Sequence, residues 1–399
     1  MIGLDEALGL IAEQLGRTPP LGAERVSLWT ARARVLAEDV HSPVDLPSAD
    51  YSAMDGYALC ASDLDASAGM TLPLLGHAQT GHPTLPLSPG VCVRIFTGAH
   101  IPPGADSVVM QENTTRDGDR VTFLKAPRPG ENIRRKGEDV TRGAQILARG
   151  TRLFPHQLGL LASAERTEVV VTRRPRVTIV CTGDELRPFG STFFGGQLAE
   201  SNSIALCGLC QDAGAEVLVS PLVKDDLSSI SQAIEQAWAD ADLVLTVGGV
   251  SVGDHDLVRP AVERVGGEII FHKVAIKPGK PVLFARRGKQ LLLGLPGNPA
   301  SAMVVFSLLG VPLVRGLAAD GRPQPRARTA RLTHDYEHKP GRRSFYRALV
   351  VGDEVTVLSN QASGATTSMA WANALLEMSE HTVSYASGER VPVWAFVDL

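Results

Sequence analysis

The sequence is short of the features that mark export, metal binding by histidine or cysteine, and polyanion recognition. Five cysteines (Cys60, Cys92, Cys181, Cys207, Cys210) are an odd count without repeating spacing, which is no secreted disulfide framework and fits a reducing cytosol. The stretch from Met1 to Leu15 carries Asp5, Glu6 and Glu13 and lacks the basic-then-apolar order of a signal peptide, so no export is expected. Charge is nearly balanced: 39 Lys+Arg against 43 Asp+Glu gives −4, which argues against nucleic acid as the main partner and leaves room for a local pocket that takes a small anion. The ten histidines show neither HxxxH nor HExxH spacing, and no GxSxG elbow or Walker loop is present. From Leu291 to Val314 there is no charge, but Pro296, Gly297, Asn298, Pro299 and Pro312 interrupt the run. It reads as a buried strand, a tight loop and a buried helix, not as a membrane span.

What is present is a multidomain chain. With 399 residues and 44% hydrophobic content, two to four domains can each bury a core. Leu4, Leu8, Ile11 and Leu15 recur at helical spacing behind Asp5 and Glu6, predicting a helix that closes near Gly16. Residues 1–50 and 140–173 are expected to form an elongated helical and β linking domain, with a helix over Pro155 to Glu165. Between them, residues 51–139 alternate in short runs punctuated by Gly and Pro, the pattern of a β-rich inserted domain. Residues 174–318 alternate strands and helices, which predicts a parallel α/β sheet with strands Val177 to Cys181, Val217 to Val219, Leu243 to Val247 and Leu291 to Leu295. After a linker rich in Pro and Arg, residues 326–399 read as a small C-terminal β-barrel-like domain.

Ligands of open parallel sheets bind beyond the carboxyl ends of the strands, where free N–H groups face an anion. Three strand ends here run into suitable turns: Thr182-Gly183-Asp184-Glu185, Gly248-Gly249-Val250-Ser251, and Pro296-Gly297-Asn298-Pro299 ahead of Ser301. Glycine lets backbone amides approach a phosphate closely, so a phosphorylated ligand is expected. Around these turns lie Asp184, Glu185, Asp225, Asp226, Asp254 and Asp256, opposed by Lys273, Lys277 and Lys280. Carboxylates beside phosphates suit a hard divalent cation such as Mg²⁺, and lysines neutralise oxyanions. In Lys277-Pro278-Gly279-Lys280-Pro281, two prolines and a glycine fix the backbone that carries two ammonium groups. Cys207-Gly208-Leu209-Cys210 falls inside a helix expected to start near Ser201 and stop before Gly214, so core packing explains it better than redox chemistry or zinc.

Taken together these motifs resemble the molybdopterin molybdenumtransferases, that is, the MoeA proteins and the E domains of gephyrin and its plant relatives. In order they are SAMDGYA around Asp55, RIFTGA around Thr97, GADSVVMQE ending at Glu112, NIRRKGEDV around Asp139, TGDEL around Glu185, SN at Ser201, GGVSVGDHD at 248–256, KVAIKPGKPV from Lys273, GLPGNPASA from Gly294, FYRA around Arg347 and QASGATTSM from Gln361. The resemblance makes residues 174–318 a domain of the molybdopterin-binding type. It implies an enzyme that takes adenylylated molybdopterin and molybdate, cleaves the pyrophosphate linkage and releases AMP, leaving molybdenum on the dithiolene. Gly248, Gly249, Ser251, Asn298 and Ser301 would hold pterin and phosphates. Glu185, Asp225 and Asp256 would manage Mg²⁺ and hydrolysis, Lys273 would assist the phosphates, and Lys277, Lys280, Arg347 and Ser363 would take molybdate. Asp55, Thr97 and Asp139 match family active-site positions in a domain that closes over the α/β domain of a partner subunit, which implies a homodimer. A cytoplasmic location and transient contacts with the adenylyltransferase and with molybdoenzyme acceptors follow from the same resemblance. The loop Arg187 to Glu200, with Phe193 and Phe194, is longer than the family's usual connection. Two alternatives are a molybdopterin adenylyltransferase, whose usual carrier is a shorter chain, and a non-enzymatic gephyrin-like scaffold.

Overall fold

Strand-forming runs buried on both faces build the centre of the molecule. In the computed structural model, which describes residues 1–64, 70–250, 257–324 and 327–396, strands Glu216–Val219, Arg176–Cys181, Leu243–Val247 and Gln290–Leu295 lie side by side in that order, all parallel. The sequence predicts these four, but the sheet has six: Leu283–Arg287 and Glu268–His272 continue it antiparallel. A left-handed Gly288 (φ 60°) closes a tight hairpin between Leu283–Arg287 and Gln290–Leu295, so no crossover helix is needed there. The sheet is therefore mixed rather than wholly parallel. Side chains alternate between its faces, with Val177, Ile179, Leu243, Leu245, Leu291 and Leu293 in one core and Val180, Val244 and Leu292 in the other.

Helices cover both faces. Asn202–Ala213 and the long apolar helix pack on the first, Leu227–Asp240 and Val258–Arg264 on the second. The opening helix, Leu4–Gly16, buries Leu4, Ala7, Leu8 and Ile11 in that first core, although its sequence neighbours after Gly22 belong to a separate layer. The apolar run becomes a strand, a loop at 296–298 and a helix over Pro299–Leu317, long and apolar enough to cross a membrane, with 72% of its most apolar window buried inside the protein. Its middle turn, Phe306–Gly310, is π-helical, and Pro312 follows. Proline supplies no N–H to the regular ladder, and a widened turn relieves the clash of its ring with the preceding turn.

Strands Ala23–Ser27 and Glu168–Thr172 pair antiparallel beside helix Pro155–Ser163, around Leu36, Leu153, Leu161 and Val171. Residues 51–139 hold a six-stranded sheet with no α-helix among the described residues. At the other end, Arg343–Val351, Glu354–Val357, Ala327–Leu332, Arg390–Ala395 and Ala374–Met378 pair in a closed ring, a five-stranded barrel. One short strand, Ile276–Lys277, leaves the α/β unit to pair with Arg343 and Ser344 of that barrel, and this seam positions the site.

Candidate active site

The parallel strands end together, so their outgoing turns share one edge. Thr182 N donates to Val247 O (3.0 Å) and Gly248 N donates to Leu295 O (3.2 Å), which locks the first, second and third glycine turns in sequence. Gly248 is left-handed (φ 93°), and a Cβ there would stand 2.6 Å from Thr182 O, so no other residue fits. From the start of helix Asn202–Ala213, Asn202 Nδ2 donates to Gly297 O (2.8 Å), tying the helix to the third turn.

The lysine turn closes on this edge. Lys273 N donates to Val282 O (2.7 Å) and Val274 N to Lys280 O (3.1 Å), and left-handed Gly279 (φ 102°) presses against Val305 so tightly that a Cβ would overlap it. Between this turn, the third glycine turn and the barrel lies a cavity of about 480 Å³. Lys277, Lys280, Asn298 and Ser301 line one side, and Arg342, Arg347, Gln361 and Ser363 the other. Among the described residues, four of its lining side chains are cationic and none is a carboxylate, an electrostatic setting that favours anions.

Arg347 is the deepest of the four, with no exposed surface. Nη2 donates to Asn360 O (2.9 Å) and Ala362 O (3.0 Å), Nε donates to Ser368 Oγ (3.1 Å), and Nη1 has no partner. Burial pulls the guanidinium below the ordinary arginine value, but it stays charged at any physiological pH. A buried cationic donor left over at a cavity wall is one that an anion could satisfy. Gln361 holds the strand that carries it, accepting from Arg347 N (3.0 Å) and donating to Arg347 O (2.9 Å). Lys277, Lys280, Asn298, Ser301, Arg347 and Ser363 thus converge as the sequence motifs suggest, whereas Arg342 and Gln361 are additions. The basic Arg342-Arg343 pair ahead of FYRA was the available signal for the first, and the QASG motif for the second.

The acidic residues occupy the neighbouring part of the edge. Gly183 N donates to Val223 O (3.3 Å) and Asp225 N donates to Asp184 Oδ1 (3.2 Å), so the turns that carry Glu185 and Asp225 are joined. Neither residue lines the cavity, nor does Lys273, whose backbone is left-handed (φ 71°). Ser251, Asp254 and Asp256 lie outside the described residues. Among the described residues no three His, Cys, Asp or Glu side chains stand together as a metal site. Past Glu185 the loop leaves Phe193 and Phe194 exposed and returns where Leu198 N donates to Glu185 O (2.7 Å).

Asp55 accepts from Thr97 N (2.7 Å) and Thr97 Oγ1 (2.8 Å), and the backbone bond above all holds its carboxyl below the usual value. Asp139 N donates to Leu46 O (3.0 Å). Asp55, Thr97 and Asp139 do not reach the cavity within one chain. Cys207 is half-buried and Cys210 fully buried in mid-helix, and burial pushes the Cys210 thiol up, which makes it a core residue and not a nucleophile.

Residues 2–164 match the family described as MoeA N-terminal region (domain I and II), residues 178–316 the probable molybdopterin binding domain, and residues 329–396 the MoeA C-terminal region (domain IV). The chain is 37% identical over 407 aligned positions to a molybdopterin molybdenumtransferase of Haemophilus influenzae, covering 100% of both chains. It is 36% identical to molybdopterin molybdenumtransferase 2 of Mycobacterium tuberculosis, covering 99% of each. A crystal structure of the molybdopterin biosynthesis MoeA protein of Pyrococcus horikoshii superimposes with a TM-score of 0.85 at 30% identity, over 99% of this chain and 100% of that one.

Proposed function

This chain belongs to the molybdopterin molybdenumtransferase family, and from that premise we propose that its cationic cavity holds molybdate while adenylylated molybdopterin lies along the adjoining glycine turns. The activity itself is that of a transferase: molybdenum insertion in molybdenum cofactor biosynthesis. The observation that carries the site assignment is the cavity wall of four cations without a carboxylate among the described residues, with Arg347 Nη1 left unpaired.

In this reading Lys277, Lys280, Arg347 and Ser363 hold the molybdate oxygens, since a small oxyanion needs fixed charged and hydroxyl donors. Asn298 and Ser301, on the wall of Lys277 and Lys280, would join that pocket to the turn of Gly248, Gly249 and Ser251, along which pterin and phosphates would lie. Glu185, Asp225 and Asp256 offer hard oxygen donors of the kind Mg²⁺ takes, few in number and leaving room for water and phosphate oxygens. The ion, when bound, would neutralise charge on the pyrophosphate. Lys273 would add a cation near those phosphates. Cleavage adds water across the P–O–P linkage and AMP leaves; the two dithiolene thiols bind molybdenum in place of one molybdate oxygen, which departs as water with their two protons.

Asp55, Thr97 and Asp139 stand apart from the cavity of their own chain, which supports a homodimer in which they serve the partner's site. An adenylylated substrate must come from a reaction that transfers AMP, so transient contact with an adenylyltransferase and with molybdoenzyme acceptors, in the cytoplasm, completes the proposal. The test is AMP release from adenylylated molybdopterin by purified protein. Release that depends on molybdate supports the insertase, no release in any condition supports a scaffold, and formation of the adenylylated pterin from ATP supports an adenylyltransferase.

A further inference from the structure

Two flanking contacts hold the lysine turn, and one comes from a part of the chain that no motif marks. Ile2 N donates to Lys273 O (3.2 Å) and Ala275 N donates to Ile2 O (2.8 Å), so Ile2 and Val274 form a parallel bridge. On the opposite side Ile276–Lys277 pairs with Arg343 and Ser344 of the barrel, and Asp5 accepts from Arg343 Nη1 (2.9 Å). Residues 2–5 therefore touch both supports of the turn. Within it, Pro278 and Pro281 have no N–H to give, so the turn cannot brace itself with a full set of backbone bonds. Val274 and Ile276 are wholly buried, which fixes the turn's base in the core but leaves its register to these flanking pairs.

We propose that Ile2 is a positioning residue for the oxyanion site. Its backbone lies as a short extra strand against residues 273–275 and so sets where the Lys277 and Lys280 ammonium groups meet the anion. Ile2 touches no substrate. Its effect passes through distance, because a misplacement of about 1 Å in a ligand-holding group can cost about a hundredfold in function. The inference rests on the reading of the cavity as an oxyanion site.

Tungstate binding to the full chain, measured by calorimetry, tests it. Ile2→Pro removes the donated N–H, and Ile2→Val keeps it. The expected result is a Kd about three- to tenfold weaker for Ile2→Pro, with Ile2→Val near the unsubstituted protein and Tm nearly unchanged in both. Equal affinity in a folded Ile2→Pro variant would overturn the inference while leaving the oxyanion site intact. Failure of the unsubstituted protein to bind tungstate would overturn the site reading, and this inference with it. Should Ile2→Pro not fold, amide exchange in the unsubstituted protein decides. Coupling is reciprocal, so saturating tungstate must slow exchange of the Ala275 N–H, and an unchanged rate overturns the proposal.

Discussion

Arg347 concentrates the chemistry of the site in one side chain. Arg347→Lys keeps the charge but cannot reach Asn360 O, Ala362 O and Ser368 Oγ together while still presenting a donor to the cavity. Chemical denaturation should show a loss of about 2–4 kcal/mol from the buried acceptors left unpaired, and calorimetry should show oxyanion affinity about tenfold weaker. His338 yields a prediction of a different kind. Its Nδ1 lies 2.8 Å from the Tyr346 hydroxyl, its Nε2 is buried without a partner, and burial, then the nearby Lys277 charge, hold it below the ordinary value of 6.5. The unfolded chain takes up that proton first, so the histidine's contribution to stability is complete above the ordinary value and declines as pH falls below it. Thermal scans from about pH 7 down to about pH 5 should show a smaller fall in Tm for His338→Gln than for the unsubstituted protein. A parallel fall in both would contradict this. The sequence motifs marked Arg347 but not His338, whose burial depends on the barrel closing around it.

Turns show what the sequence could and could not reveal. The glycine-rich turns were legible because three of them follow apolar strands, and Gly248 and Gly279 do occupy left-handed positions with no room for a Cβ. Gly279→Ala should strain the lysine turn by about 1–3 kcal/mol and push it off Val305. Its oxyanion affinity should fall by more than the Tm change alone explains, and unaltered affinity would show that the turn's path does not matter. Strands Leu283–Arg287 and Glu268–His272 were not legible. They flank a segment whose prolines and glycine read as loop, and both pair antiparallel, Leu283–Arg287 with Gln290–Leu295 through a two-residue turn and Glu268–His272 with Leu283–Arg287 across residues 273–282, not by the alternation of strand and helix. The opening helix, Leu4 to Gly16, is legible because its apolar spacing is local information. Its partner is not local: the sheet it covers begins far along the chain.

The whole molecule is joined by contacts that sequence order hides, since one core holds Ile11, Leu293, Leu313 and Phe345 together. Ile11→Ala should therefore cost about 2–5 kcal/mol and lower the same calorimetric transition as Leu293→Ala. The transition shifted by Phe123→Ala, in the sheet of residues 51–139, should stay in place. If Ile11→Ala moved the Phe123 transition instead, the helix would belong energetically to the other layer. Motif order along the chain could announce a shared site, but not which side chains close its walls, because Arg342 and Gln361 enter only when the barrel docks on Ile276–Lys277. The central claim is that this docking creates the oxyanion pocket. Anomalous diffraction from crystals soaked in tungstate tests it most directly. A tungsten peak is predicted inside the cavity, within hydrogen-bond reach of Lys277, Lys280, Arg347 and Ser363, and a peak only elsewhere on the protein would contradict it.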